Sequence, residues 1–158
     1  MYPVSYEEWN EEQARVERHL LDVRVPREEL FLRKLVNATV IHNRLYEHSS
    51  HESEDDRKHF VYAKPFDERS LRSYGPAVLR AVFETSEAAA EPSADCYYWR
   101  DGAFVRGQPA FPVNGALDIA ERLLDHYRVE YGRTHEAVYA VWDEERKKAL
   151  FFLKEVAE

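Results

Sequence analysis

The chain has 158 residues and a mass of 18.7 kDa, the size of one ordinary domain, so 1–158 is read as a single domain. Leu, Ile, Val and Phe number 13, 2, 15 and 8, together 38 of 158 or about 24%, above the roughly 20% below which disorder prevails. Five glycines and one cysteine exclude collagen and disulfide scaffolds, the 30 acids against 22 bases (net charge −8) disfavour phosphate backbones, and no stretch of about 18 residues is free enough of charge to span a membrane.

The acidic excess is spread evenly. Residues 1–50 carry 9 acids and 7 bases, residues 51–109 carry 11 and 8, and residues 110–158 carry 10 and 7. With no basic arm, direct nucleic-acid binding is not expected, and a basic protein surface is the easier partner. Cys96 stands alone, so no intramolecular disulfide forms and a reducing compartment is indicated. The N-terminal MYPVSYEE has neither a basic n-region nor an apolar h-region. Both features point to the cytoplasm.

In chain order, Ser5 and Glu8 fit a capping box, and Tyr6, Trp9, Val16 and Leu20 recur at helical spacing. These predict an N-terminal helical segment over about 6–22. Pro26 with Glu28 and Glu29 opens a second helix, at about 26–34. Leu30, Phe31, Leu35, Ala38 and Leu45 keep a helical period past that point, but Val, Thr and Ile crowd 36–46, which therefore reads as a strand with a continued helix as the rival. The apolar-free 47–58 reads as a solvated loop, and 59–64 as a strand pairing with 36–46. Asp67 can cap a helical turn reaching Ser73. The segment 77–84, apolar on both faces, reads as a central strand, and 85–95 as a linker.

Asp101-Gly102 between β-favouring runs predicts a type I′ hairpin that pairs Trp99 with Phe104 and Tyr97 with Arg106, with Tyr98 and Val105 on the other face. Ala116, Ala120, Leu123, Leu124, Tyr127 and Tyr131 follow the stripe of one long amphipathic helix over about 115–131, with Asn114 as its cap and Gly132 just past its end. Val138–Trp142 and Ala149–Leu153 flank a polar turn and read as a closing hairpin, with a single helix over 136–156 as the rival. The whole predicts an α+β fold around a mainly antiparallel sheet.

Most catalytic motifs are absent: there is no P-loop, dinucleotide fingerprint, nucleophile elbow, H-E-x-x-H or C-x-x-C. Two constellations remain. His42, His48, His51 and His59 fall within 18 residues among Glu47, Glu52, Glu54, Asp55 and Asp56, a mixture of imidazole and carboxylate that suits a divalent metal, with His48 and His51 the ligand candidates. The hairpin residues Tyr97, Tyr98, Trp99, Arg100 and Arg106 are of the types that dominate interface hot spots, and form the candidate binding site. A buried lone cysteine such as Cys96 is ordinarily inert.

The leading expectation is therefore a small, acidic, cytoplasmic interaction protein without cofactor, binding a basic partner surface as inhibitors, immunity-type proteins and nucleic-acid mimics do. The alternative is a small metal-assisted hydrolase using the His42–His59 region. A third is a small-ligand domain with its pocket between the 115–131 helix and the sheet.

Overall fold

A computed structural model describes residues 1–84 and 87–156. Ten strands form one sheet: β1 (Tyr2–Asn10), β2 (Arg15–Val25), β3 (Ala38–Ile41), β4 (Arg44–Glu54), β5 (Lys58–Pro65), β6 (Ser93–Arg100), β7 (Ala103–Gly107), β8 (Tyr127–Glu130), β9 (Arg133–Asp143) and β10 (Lys148–Glu155). Among the described residues three helices accompany them, α1 (Arg27–Leu35), α2 (Tyr74–Glu84) and α3 (Gly115–Leu123), with a short 3-10 turn at Glu68–Leu71. The strand order is β2-β1-β5-β4-β3-β9-β10-β6-β7, with β8 pairing β9 beside β3.

The sheet is mixed, which corrects the expectation of a mainly antiparallel one. The ladders β1–β5, β3–β9 and β6–β10 are parallel. Helical crossovers produce them, because parallel neighbours cannot be joined by a tight turn. After β2, α1 passes over β1, β5 and β4 to reach β3; after β5, α2 spans the opposite face to reach β6. Alternation along the strands then builds two layers. Val141, Leu150 and Phe152 pack with Val78, Ala81 and Val82 of α2. Trp142, Ala149 and Phe151 pack with Leu32 of α1 and with Ile119 and Ala120 of α3. Under α1, Leu30 meets Val4, Tyr6, Ile41 and Val61.

The helix expected at 6–22 is the hairpin β1–β2. Tyr6 and Trp9, three residues apart, would share a helical face; here Tyr6 is buried under α1 while Trp9 lies on the other face against Tyr62, centroids 5.5 Å apart. Pairing of β1 with β2 and β5 on its two edges outweighs the local period. The expected cap residues serve the sheet instead: the Ser5 hydroxyl donates to Asp22 on β2, and Glu8 takes Arg18 at 3.4 Å.

The long amphipathic helix is also corrected: α3 ends at Leu123, and 127–130 is a strand. Arg128 and Glu130 point inward and are buried, so Tyr127, Val129 and Tyr131 face solvent, the reverse of the helical stripe. Tyr131 and Gly132, at φ 52° and 72°, make the β8–β9 turn rather than a helix end. The segment 77–84 is helical as well, with Val78, Ala81 and Val82 inward at i, i+3, i+4. Gly75 lets that helix close on the 3-10 turn, since a Cβ there would land on the Glu68 carbonyl.

The expected strand at 36–46 is two strands, β3 and β4, around a turn with His42 and Asn43 at φ 50° and 61°. The expected loop at 47–58 is the distal half of the β4–β5 hairpin. Of the linker expected at 85–95, residues 85 and 86 lie outside the described residues, and 93–95 already belong to β6. Five expectations match: α1 within a residue or so, the strand at 59–64 (β5, pairing with β4), the Asp67-capped turn (Asp67 Oδ1 accepts from Arg69 N–H at 3.0 Å), the β9–β10 hairpin, and the β6–β7 hairpin in its predicted register about Asp101-Gly102.

One buried charge ties these layers together. Arg33 of α1 is 1% exposed; its guanidinium donates to Tyr6 Oη (3.0 Å) and Glu29 Oε1 (3.1 Å), meets Glu144, and lies 5.5 Å from the Trp142 ring. Burial alone would lower its pKa, but Tyr6, Glu144 and Glu29 together raise it, so it stays charged. Truncation would strand two carboxylates around the vacated site, whereas an apolar isostere fills the space. Arg33→Ala is predicted to cost about 3–5 kcal/mol in urea unfolding. Arg33→Met with Glu29→Gln and Glu144→Gln should cost clearly less; equal losses would count against the charge account.

Candidate functional site

The histidines flagged by sequence meet because of an irregularity in β4. On a regular strand His48 and His51, three apart, point to opposite faces. The β4–β5 register slips between His48 and Ser50, and this bulge turns both rings to the α1 face. His51 Nε2 and His48 Nδ1 are then 3.2 Å apart, with the rings edge to face at 5.3 Å. His48 Nε2 lies 2.7 Å from Thr39 Oγ1 on β3. The Thr39 hydroxyl also neighbours the Tyr6 phenol, which Arg33 contacts.

One donor in this cluster is fixed. Arginine only donates, so Tyr6 Oη accepts from Arg33. The Thr39 hydroxyl lies beside that phenol and 2.7 Å from His48 Nε2, and His48 Nδ1 lies 3.2 Å from His51 Nε2, so the four side chains form one continuous line of polar contacts. Both nitrogens of His48 are engaged in this line. Burial and, secondarily, His51 hold the His48 pKa down to about 3, and burial followed by Lys34 lowers that of His51. Lys34 Nζ lies 2.7 Å from His59 Nδ1, and burial lowers both of these pKa values as well.

His48 and His51 line a crevice of about 500 Å³ between β4 and β9, where β3 stops short. Asn37 ends β3 by standing in for a further rung: its Oδ1 accepts from Ala140 N–H at 2.8 Å and its own N–H donates to Ala140 O at 2.9 Å. On the α2 side Tyr139 donates to Glu47 Oε2 at 3.1 Å; burial and then Glu47 raise its pKa, so it stays a neutral phenol. Glu47, adjacent to His48, thus faces away from the imidazoles. His42 sits apart in the β3–β4 turn, 3.3 Å from Leu20 O. Among the described residues no group of three or more His, Cys, Asp or Glu side chains is arranged to hold a metal ion. His48 and His51 are brought together, but as a hydrogen-bonded pair.

The hairpin residues separate by face. Tyr97 is core, its ring stacked on Phe152 at 5.2 Å. Trp99 packs edge-on against Tyr74 (4.8 Å) and Phe104 (5.0 Å). Tyr98 lies on the α3 side, donating to Glu130 Oε2 at 2.8 Å, and its pKa is raised by burial and by Glu130. Arg100 is exposed, and Arg106 pairs with Asp95 at 3.4 Å. Cys96 is buried beneath α3, and burial pushes its thiol up, away from nucleophilic use.

Tyr6, Thr39, Lys34 and Tyr139 were not visible as site residues from sequence. Each lies on a different element from the histidines, and the bulge that aligns His48 with His51 has no signature in the H-x-x-H spacing. Comparison with protein-family models, with curated proteins and with solved structures returns no match for the chain.

The depressed His48 value makes stability depend on pH. Its folded-state pKa lies below the ordinary 6.5, so the unfolded chain binds the extra proton between pH 6.5 and about 3. Stability from this group is complete above 6.5 and is lost as pH falls toward 3. His48→Gln should therefore lose less of its urea midpoint than the natural chain between pH 7 and about 4.5. Equal losses would assign the acid sensitivity to other groups.

Proposed function

We propose that the chain is a small interaction protein that captures an extended, Lys- or Arg-rich segment of a protein partner along the free edge of β4. One observation carries this reading. Beyond His48, whose N–H still reaches Asn37 O at 2.9 Å, β4 pairs only with β5 among the described residues, so its other edge is open through Glu54. An open edge offers main-chain donors and acceptors to an incoming strand.

Charge selects the occupant. Residues 47–58 hold Glu47, Glu52, Glu54, Asp55 and Asp56 against Arg57 and Lys58. Glu52 and Glu54 lie on the sheet face opposite His51, and Asp55 and Asp56 form the hairpin tip at φ 51° and 52°. A basic strand on this edge would meet carboxylates on one face and the imidazole crevice on the other. The terminal strand β2 differs: Arg15, Glu17, Arg18, Asp22 and Arg24 mix both signs along it, which guards the edge without favouring either charge.

This supports an inhibitor-like or immunity-like role toward a basic protein. The lone buried Cys96 supports a reducing, cytoplasmic setting. No helix among the described residues is long and apolar enough to cross a membrane. The metal-hydrolase alternative gains no support, because His48 spends both nitrogens on Thr39 and His51.

An alternating lysine–valine peptide of about ten residues, the length of a long strand, tests the reading. Titration followed by amide hydrogen exchange should show new protection within 49–54 and an affinity that falls with salt. Glu52→Lys with Glu54→Lys should weaken binding by about tenfold or more. Protection elsewhere, or binding indifferent to salt, would overturn it.

A further inference from the structure

A second site lies at the far end of the sheet, away from the β4 edge, and stands independently of that reading. There Tyr98 of β6 and Tyr131 of the β8–β9 turn border a pocket of about 420 Å³ that also reaches Arg100, Glu130 and His135. The volume lies within the usual range of small-molecule sites. We propose that this pocket binds a small planar aromatic molecule carrying one carboxylate, its ring against the aromatic walls and its anionic group on Arg100.

Three independent features support the assignment. The first is an orphan. His135 is 9% exposed, its ring sits edge-on to Tyr98 at 5.3 Å, and its Nδ1 is buried with no hydrogen-bond partner. His135 borders the pocket, and a buried polar atom left without a hydrogen-bond partner is uncommon in a native fold.

The second is charge. Glu130 is satisfied by Arg128 at 3.1 Å and Tyr98 at 2.8 Å, and Arg133 is paired with Glu155 at 3.2 Å. Among the described residues Arg100 is the one charged group bordering the pocket with no ion-pair partner. In a chain of net charge −8 an uncompensated guanidinium selects an anion and turns away an amine.

The third is strain. Tyr131 holds φ 52° while 75% exposed. Asn or Gly is the ordinary occupant of such a turn position, and a bulky residue there is an outlier. Little within the fold covers this ring, so its contribution is to the pocket mouth. Gly107 provides the opposite support: a Cβ there would meet the Tyr98 ring at 2.9 Å and displace it from the wall.

Indole-3-carboxylate is the probe, with indole-3-methylamine and acetate as controls, followed by amide and side-chain NMR shifts. The expected result is saturable binding of the carboxylate, with shifts concentrated at 98–100 and 130–135. The amine and acetate should bind about tenfold more weakly or worse. Arg100→Ala and Tyr131→Asn should each weaken the carboxylate about tenfold while leaving thermal unfolding unchanged or, for Tyr131→Asn, raised. No saturable shift at millimolar probe, equal binding of the amine, or full affinity in Arg100→Ala would overturn the proposal.

Discussion

The guanidinium of Arg33 is the point on which much of the molecule turns. It sits between α1 and the sheet, where a charge survives only if its neighbours replace water. Tyr6 on β1, Glu29 on its own helix, Glu144 beyond β9 and the face of Trp142 do so. These partners come from distant parts of the chain, so the contact is complete only when β1, α1 and the β9–β10 turn are all in place. Hydrophobic burial would hold α1 on the sheet in several registers. The paired charge admits one, because any other leaves a carboxylate or a guanidinium dry and alone.

That register sets the chemistry next to it. Lys34 follows Arg33 along α1 and is thereby carried over β4 and β5, beside His59 and within electrostatic reach of His51. The Tyr6 oxygen, committed as acceptor to Arg33, polarises a line of hydroxyl and imidazole groups through Thr39 and His48 to His51. The same polarity explains why a histidine-rich stretch can lack a free ligand set.

The crevice and the free edge share a cause. β3 is four residues long and ends where Asn37 substitutes its side chain for a rung of ladder, while β4 continues for seven residues past the last pair with β3. Beyond β3, β8 takes up the edge of β9, while the edge of β4 keeps no strand partner among the described residues. A short strand leaves a row of β4 backbone groups unpaired, and the proposed basic partner would meet the carboxylates of 47–58 along that row. At the opposite end of the sheet, a glycine under Tyr98 and a left-handed tyrosine in a tight turn shape the second pocket.

Features set by neighbours in sequence were legible from the start. Asp101-Gly102 specified a turn type and with it the register of Trp99 against Phe104, because positive φ is a property of the two residues themselves. Pro26 with Glu28 and Glu29 marked the start of α1 for the same local reason, and the lack of apolar side chains over 47–58 was plain, though its strand pairing was not. The residues 6–22 and 124–131 illustrate the opposite case. Their apolar spacing satisfied a helix, yet strand neighbours on β1 and the burial of Arg128 and Glu130 beside β9 outweighed a local preference of a few tenths of a kcal/mol per residue. Parallel pairing, the bulge beside His48, the meeting of its ring with Thr39 and the isolation of Arg100 belong to the tertiary structure alone. Each depends on residues far apart in the chain, and contact between such residues is decided by the whole packing rather than by any local pattern.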